Sequence, residues 1–510
     1  MKRQTAALAI VLLAALTAGA ALSIGTRPAP TGASTPSLPA AAPTGPRSLP
    51  AETPAPSVDL ATPSASPTST STSTSTSTPE PAPSPTPSPT QSPTKSEPPE
   101  PASSTTSYEL DAAYSVHIHV NWAAGRLDVT TDMDATNRSG GSIDRLELNT
   151  IAARLGSMRL LEATVDGVAV APRVMDQTLV VRLPQALANN GHVNVHTRYR
   201  AILRTSFAGS DWLWSQRDGV AAVYRSIPWL SRRTPFDRPN HGDPFVTPVA
   251  SSVRVRLTSS VPLVYATSGV RVGSAQPGVT YLAENVREFS FTAARTSRVL
   301  NGRSLDGDTQ IRVMTQWASP SRARHMLDVA QRAIARYEQW VGQMPYPSIT
   351  LAETAGGSAM ESPGLVWLPR NVANLDYLIA HELGHQWFYA VAGNDQAREP
   401  FFDEAMTDFL ARKFMGQLRG SRCATARLDR SIYDYSATCY YETIYIQGSR
   451  FLDDIRGAIG NGEFWRTVRA FWADNRFTVS TTRELLEAFR AVGGDSLLAR
   501  YHQRFPSLYP

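Results

Sequence analysis

His381-Glu382-Leu383-Gly384-His385-Gln386-Trp387-Phe388 is followed, after eighteen residues intervening from His385, by Glu404 within Phe401-Phe402-Asp403-Glu404-Ala405-Met406. In a helix, positions i and i+4 share one face, so His381 and His385 can address a single metal ion while Glu382 reaches a water beside it. Glu404, on a second helical pattern, supplies a third ligand. Three protein ligands leave the fourth position of a tetrahedral zinc open, which is the arrangement of a catalytic ion rather than a structural one. The expectation is one Zn2+ per chain, a bound water brought to a pKa of about 7, and Glu382 placed to take its proton. Leu378, Ile379, Leu383, Trp387 and Phe388 recur at helical spacing and predict that the first ligand helix is buried. Asp408, four residues after Glu404, and Asp403 beside it are candidates to accept hydrogen bonds from the outer nitrogens of the ligand histidines.

Working outward, the chain around this motif reads as strands followed by helices. Ser319-Pro320 opens a helix whose apolar face is Met326, Val329, Ala330, Ala333, Ile334 and Tyr337, and Gly342 closes it. A strand is predicted over 349–353, then Gly356-Gly357 and Ser358-Ala359-Met360-Glu361-Ser362, and further helices over 450–459, 463–472 and 483–492. Upstream, from about 108 to 300, the period changes to two, as in Val116, Ile118 and Val120, Leu127 and Val129, Val253, Val255 and Leu257, and Phe289 and Phe291. Turn residues such as Gly140-Gly141 and Asp166-Gly167 punctuate these runs. The prediction is an α+β chain, an all-β sandwich of two sheets over 108–308 followed by a mostly helical part over 309–510. A long loop is predicted over 224–248, where Pro, Arg and aromatic residues break the alternation.

The first hundred residues cannot be globular. Met1-Lys2-Arg3 precedes an apolar run, with Ala18-Gly19-Ala20 as a cleavage site, so residues 1–25 read as a signal peptide or an uncleaved membrane anchor. Residues 26–107 are Pro, Ser, Thr and Ala, too poor in apolar side chains to offset the entropy of ordering, and read as a disordered stalk or spacer. The chain is therefore expected outside the cytoplasm, secreted or held at the membrane or cell wall by its N-terminal segment. A net charge of +5 in 510 residues, without blocks of basic and aromatic residues, points to no nucleic-acid partner. Cys423 and Cys439 are the only two cysteines. In an exported chain they are expected to pair, and in a reducing compartment to stay free thiols.

The residues resemble the gluzincin metallopeptidases of the aminopeptidase N family, which includes leukotriene hydrolase. The likeness rests on His381 to Phe388 with Glu404 at the family's distance, on Ser358-Ala359-Met360-Glu361-Ser362, similar to the family's G-A-M-E-N, and on Tyr445-Ile446-Gln447-Gly448, which matches Y-x-x-G. It covers about residues 108–510. It implies a saddle-like β-domain followed by a thermolysin-like domain, with Tyr445 donating to the oxygen of the attacked carbonyl. It also implies a substrate docked along Ala359, Met360 and Glu361, with the Glu361 carboxylate on its amino terminus. Ser358 and Ser362 depart from the motif's Gly and Asn, and the family's second amine-binding carboxylate in the β-domain has no evident counterpart.

The activity implied is that of a zinc aminopeptidase acting on peptides. The missing second carboxylate keeps open an endopeptidase or a dipeptide-releasing peptidase. A third reading, from another class, is a non-catalytic surface module on a peptidase scaffold; an intact set of ligands and base argues against it.

Overall fold

The computed structural model describes residues 109–231, 246–274 and 278–510. The signal or anchor and the stalk read from the sequence lie outside the described residues, as does most of the loop expected over 224–248. Part of that stretch is ordered differently from the expectation, because Trp229–Leu230 forms a short strand paired with Ile143–Asn149.

The first half is built on an eight-stranded sheet in which Leu110–Asn121 runs antiparallel to Arg126–Asn137 and parallel to Ala250–Ser259. Alternation decides its faces. Val116, Ile118, Val120, Leu127, Val129, Val253, Val255 and Leu257 are all buried, and the polar residues between them face out. Two four-stranded sheets accompany it, Val264–Thr267 with Phe291–Ala294, Val220–Val223 and Trp214–Arg217, and Trp229–Leu230 with Ile143–Asn149, Thr178–Leu187 and Arg173–Met175. The β-domain is thus a sandwich of three sheets, not two. A single run of alternating residues shows which face is inside but not which sheet a strand joins.

The second half carries a five-stranded sheet ordered Arg298–Arg303, Gln310–Thr315, Ser348–Thr354, Leu365–Pro369 and Met360–Ser362. Arg298–Arg303 precedes the boundary read at 308 but is hydrogen-bonded into this second sheet. The period of two puts its layers to use. Ile311, Val313, Ile349, Leu351, Val366 and Leu368 pack with the helices. Met314, Ala352, Met360, Leu365 and Trp367 on the opposite face pack with the β-domain. The sheet is therefore buried on both sides, and its last strand, Met360–Ser362, is an edge.

Helix Pro320–Trp340 begins where the sequence places it, with Ser319 Oγ accepting from the Arg322 N–H and the six predicted apolar residues buried. Gly342 follows at φ +153°, where a Cβ would sit 2.7 Å from the Trp472 ring, so no other residue fits that turn. Its carbonyl accepts from Trp387 Nε1 at 2.8 Å, which ties the end of this helix to the metal motif.

Candidate metal centre

The ligand helix Leu375–Gly384 is shorter than its apolar stripe suggests; regular helix stops at Gly384 and His385 keeps helical backbone angles as its cap. That suffices to keep the two imidazoles on one face. Gly384 lets the second ligand segment cross closely there, because a Cβ would lie 3.2 Å from the Thr407 side chain. Glu404 lies in a π-helical turn, Phe401–Ala405, that leads into helix Met406–Met415. Tyr445 lies in a second π-helical turn, Tyr441–Gln447. The two turns touch, since a Cβ on Gly448 would meet Ala405 Cβ at 2.5 Å. Such turns insert one residue into a helix and rotate side chains out of regular register.

The three expected ligands converge. His381 Nε2 is 3.2 Å and His385 Nε2 3.5 Å from Glu404 Oε2, and the two Nε2 atoms are 3.3 Å apart. A tetrahedral ion with bonds of about 2.0–2.1 Å has ligand-to-ligand edges of about 3.3–3.4 Å, so this triangle has the size zinc requires. The proton positions agree. His385 Nδ1 lies 3.2 Å from the Phe388 carbonyl, which only accepts, so Nδ1 carries the hydrogen and Nε2 turns its lone pair into the triangle.

Charge points the same way. Burial lowers the His385 pKa, but Glu361, Glu404 and Glu382 together raise it well above the ordinary histidine range. The site thus demands positive charge. Burial alone would raise the Glu404 carboxyl, yet its hydrogen bonds to both histidines hold it far below the usual carboxylate range. Donor set, edge lengths and charge all fit a zinc ion held by His381, His385 and Glu404.

Around the triangle, ligand atoms of Glu361, Glu382 and His385 lie within 4.8 Å of one another. Tyr445 stacks on His381 with ring centroids 5.4 Å apart. Burial first and the Glu404 charge second keep its hydroxyl protonated. Glu361 is buried on the edge strand, where burial raises its pKa and Gln396 Nε2 donates to it at 3.1 Å. Ala359 and Met360 turn their side chains into the two cores, so a ligand at this edge would meet their backbone.

The two outer carboxylates behave otherwise than expected. Asp408 accepts from the Tyr377 hydroxyl and from Arg412 Nε, each at 2.6 Å, and not from a histidine. Asp403 accepts from Asn394 and Gln396, and burial with the neighbouring Glu404 pushes it up to about 7. Both correct the expectation, because helical spacing gives the face of a carboxylate but not the donor it meets. Cys423 and Cys439 form the expected disulfide. Gln396, which bridges Glu361 and Asp403, and Gln386, which accepts from Gly364 N at 2.9 Å and donates to the Ser362 carbonyl at 3.1 Å, were not singled out from the sequence. The second pair fastens the ligand helix to the edge-strand hairpin.

No protein-family model matches the chain. Solved structures do. A two-domain M1 zinc metallopeptidase, solved as a glutamate-to-alanine mutant bound to L-arginine, aligns with TM-score 0.60 and 18% identity over 77% of this chain and 93% of that one. The M1 zinc metallopeptidase from Deinococcus radiodurans aligns with TM-score 0.58 and 18% identity, over 78% of this chain and 95% of its own. A mutant from the same organism, bound to a Tyr-Ser-Ala substrate, gives TM-score 0.58 and 17% identity over 80% and 97%. The chain has the two-domain fold of the M1 zinc metallopeptidases.

Proposed function

We propose that this chain is an exported zinc peptidase that removes residues from the amino terminus of peptides. The observation that carries the proposal is the zinc-sized triangle of His381, His385 and Glu404 with Glu382 and Tyr445 beside it. The similar structures that hold L-arginine or a Tyr-Ser-Ala peptide support the substrate class. Zinc bound there would act as a Lewis acid and make a water acidic. Glu382 takes the proton of the attacking water and hands it to the leaving nitrogen. Tyr445, kept protonated by burial, turns its hydroxyl to the carbonyl oxygen, where negative charge develops. Glu361, held by Gln396, pairs with the substrate ammonium while the peptide lies along the free edge of Met360–Ser362.

Export rests on the N-terminal reading, and the Cys423–Cys439 disulfide favours an oxidising compartment. No helix among the described residues is long and apolar enough to cross a membrane. One observation favours the endopeptidase reading. Glu288, a buried β-domain carboxylate beside the Tyr389 turn, is already paired with Arg225, which also donates to the Tyr389 hydroxyl. Two measurements test the proposal: metal content, and turnover of free and N-acetylated peptides, for wild type and Glu382→Gln. One zinc is expected in both proteins, turnover only in wild type, and acetylation should abolish it. Equal cleavage of blocked peptides would transfer the case to an endopeptidase, and a chain without zinc would end it.

A further inference from the structure

Resting on the zinc reading, we infer that the β-domain sets the orientation of His385, with Tyr389 and Arg287 as positioning residues for the metal. Three arginines are fully buried among the described residues, and the two from the β-domain, Arg225 and Arg287, both end on the three residues 389–391 that follow the ligand motif. Arg287 donates from Nε to the Ala390 carbonyl at 3.1 Å and from Nη2 to the Val391 carbonyl at 3.0 Å. It also reaches the Thr478 carbonyl at 2.5 Å and, through Nη1, the Thr247 carbonyl at 2.9 Å. Its guanidinium lies flat on Gly393, where a Cβ would fall 2.4 Å from Cζ. A buried guanidinium is tolerated only where its donors are matched, and here three of the four matching backbone carbonyls, those of Ala390, Val391 and Thr478, belong to the metal-binding half.

Arg225 works on the same turn through a side chain. Its Nη2 donates to the Tyr389 hydroxyl at 2.5 Å, and its Nε donates to the buried Glu288 carboxylate. Ser290 locks that pair by donating to Glu288 at 3.0 Å and accepting from the Arg225 N–H at 3.2 Å. Tyr389 itself stands at φ +114°, a conformation that L side chains avoid. The turn it makes folds the chain back, with Tyr389 N donating to the Ala392 carbonyl at 2.8 Å and Ala390 N to the His385 carbonyl at 3.0 Å. That turn presents the Phe388 carbonyl to His385 Nδ1. Anchoring the Tyr389 hydroxyl from the β-domain holds the unfavourable angle, and the angle holds the carbonyl that fixes the imidazole.

The test is Tyr389→Phe, which keeps the ring and removes the acceptor, with Arg287→Lys as a second variant that keeps the charge but has fewer donors. Zinc affinity is read by chelator competition, and the metal-free proteins are melted in parallel. The expected result is about tenfold weaker zinc binding in each variant, as for lost partners of a metal-bound histidine. For Tyr389→Phe the metal-free melt should fall, because a buried Arg225 donor loses its acceptor, and zinc-saturated protein should show reduced kcat at unchanged KM. Wild-type zinc affinity in both variants overturns the inference, whether or not either is less stable. A wild type that binds no zinc instead overturns the proposed function, so the two failures are distinct.

Discussion

The two ligand histidines are supported from opposite sides by different kinds of structure. Behind His385 stand backbone carbonyls and two arginines from the β-domain, all buried, so its orientation belongs to the docking of one half of the molecule on the other. Behind His381 stand side chains of the helical half. Tyr445 stacks on it at 5.4 Å, Tyr377 lies tilted at 5.7 Å, and the Asp408–Arg412 pair holds Tyr377 and Tyr441. The rim of this second side is less deeply buried, since the Arg419 that grips Glu442 keeps 31% of its side chain exposed. Each wall supports one ligand histidine, and the His381 side also carries Tyr445, the group proposed to meet the substrate.

Exchanging the two tyrosines for phenylalanine should therefore give opposite signatures. Tyr445→Phe removes a donor aimed at the developing oxyanion, and kcat is expected to fall about 10²–10³-fold, as for other single oxyanion donors. Its resistance to chelator should match wild type, the reverse of Tyr389→Phe. If Tyr445→Phe instead loses zinc with little change in the kcat of metal-saturated protein, the division between the walls is broken.

How much of this was readable in advance follows the range of each interaction. His381, Glu382 and His385 were legible because their relation is local and helical periodicity fixes it. Tyr445 and Glu361 were legible only through motifs, and the contact of the two π-helical turns that brings Glu404 to Tyr445 has no periodic signature. Arg225 and Arg287 read as two more scattered arginines, because a buried guanidinium and a solvated one look alike until its acceptors are placed. Tyr389 was opaque for a different reason. A left-handed backbone angle is signalled by Gly or Asn, and a tyrosine there is held by tertiary contacts alone. The strand alternation gave the buried faces of the β-domain, while the number of sheets depended on pairings between distant strands.

The disulfide offers a smaller effect on the His381 side. Cys423–Cys439 closes a loop of sixteen residues just before the turn that bears Tyr445. Gln447 at the end of that turn also donates to the carbonyls of Cys423 and Thr425. Loss of such a cross-link costs about 3 kcal/mol in the chain-entropy model, so Cys439→Ser should lower the unfolding free energy by about that amount in a denaturant titration. Zinc affinity should not change, because nothing in the loop supports His385. Loss of metal on reduction would join the two walls.

Glu442 gives the finest test, since its effect carries a pH signature. Its carboxylate receives Arg419 at 2.7 and 3.0 Å and the Arg422 N–H at 2.8 Å, pinning the loop to the Tyr445 turn. Burial raises the Glu442 pKa, and these donors more than offset it, leaving the group below the ordinary glutamate range. A depressed folded value means that the stabilisation is fully present above the unfolded value of about 4.3 and is lost as pH falls through the lower folded one. Glu442→Gln should thus be about 2 kcal/mol less stable than wild type at pH 7, the cost of charge-assisted hydrogen bonds. The difference should hold down to about pH 5 and shrink below it, because protonated wild type and the amide then offer the same uncharged acceptor. A gap that persists undiminished in acid would mean that shape, not charge, fastens this wall, and the contrast with the arginine-held side of His385 would have to be drawn on packing instead.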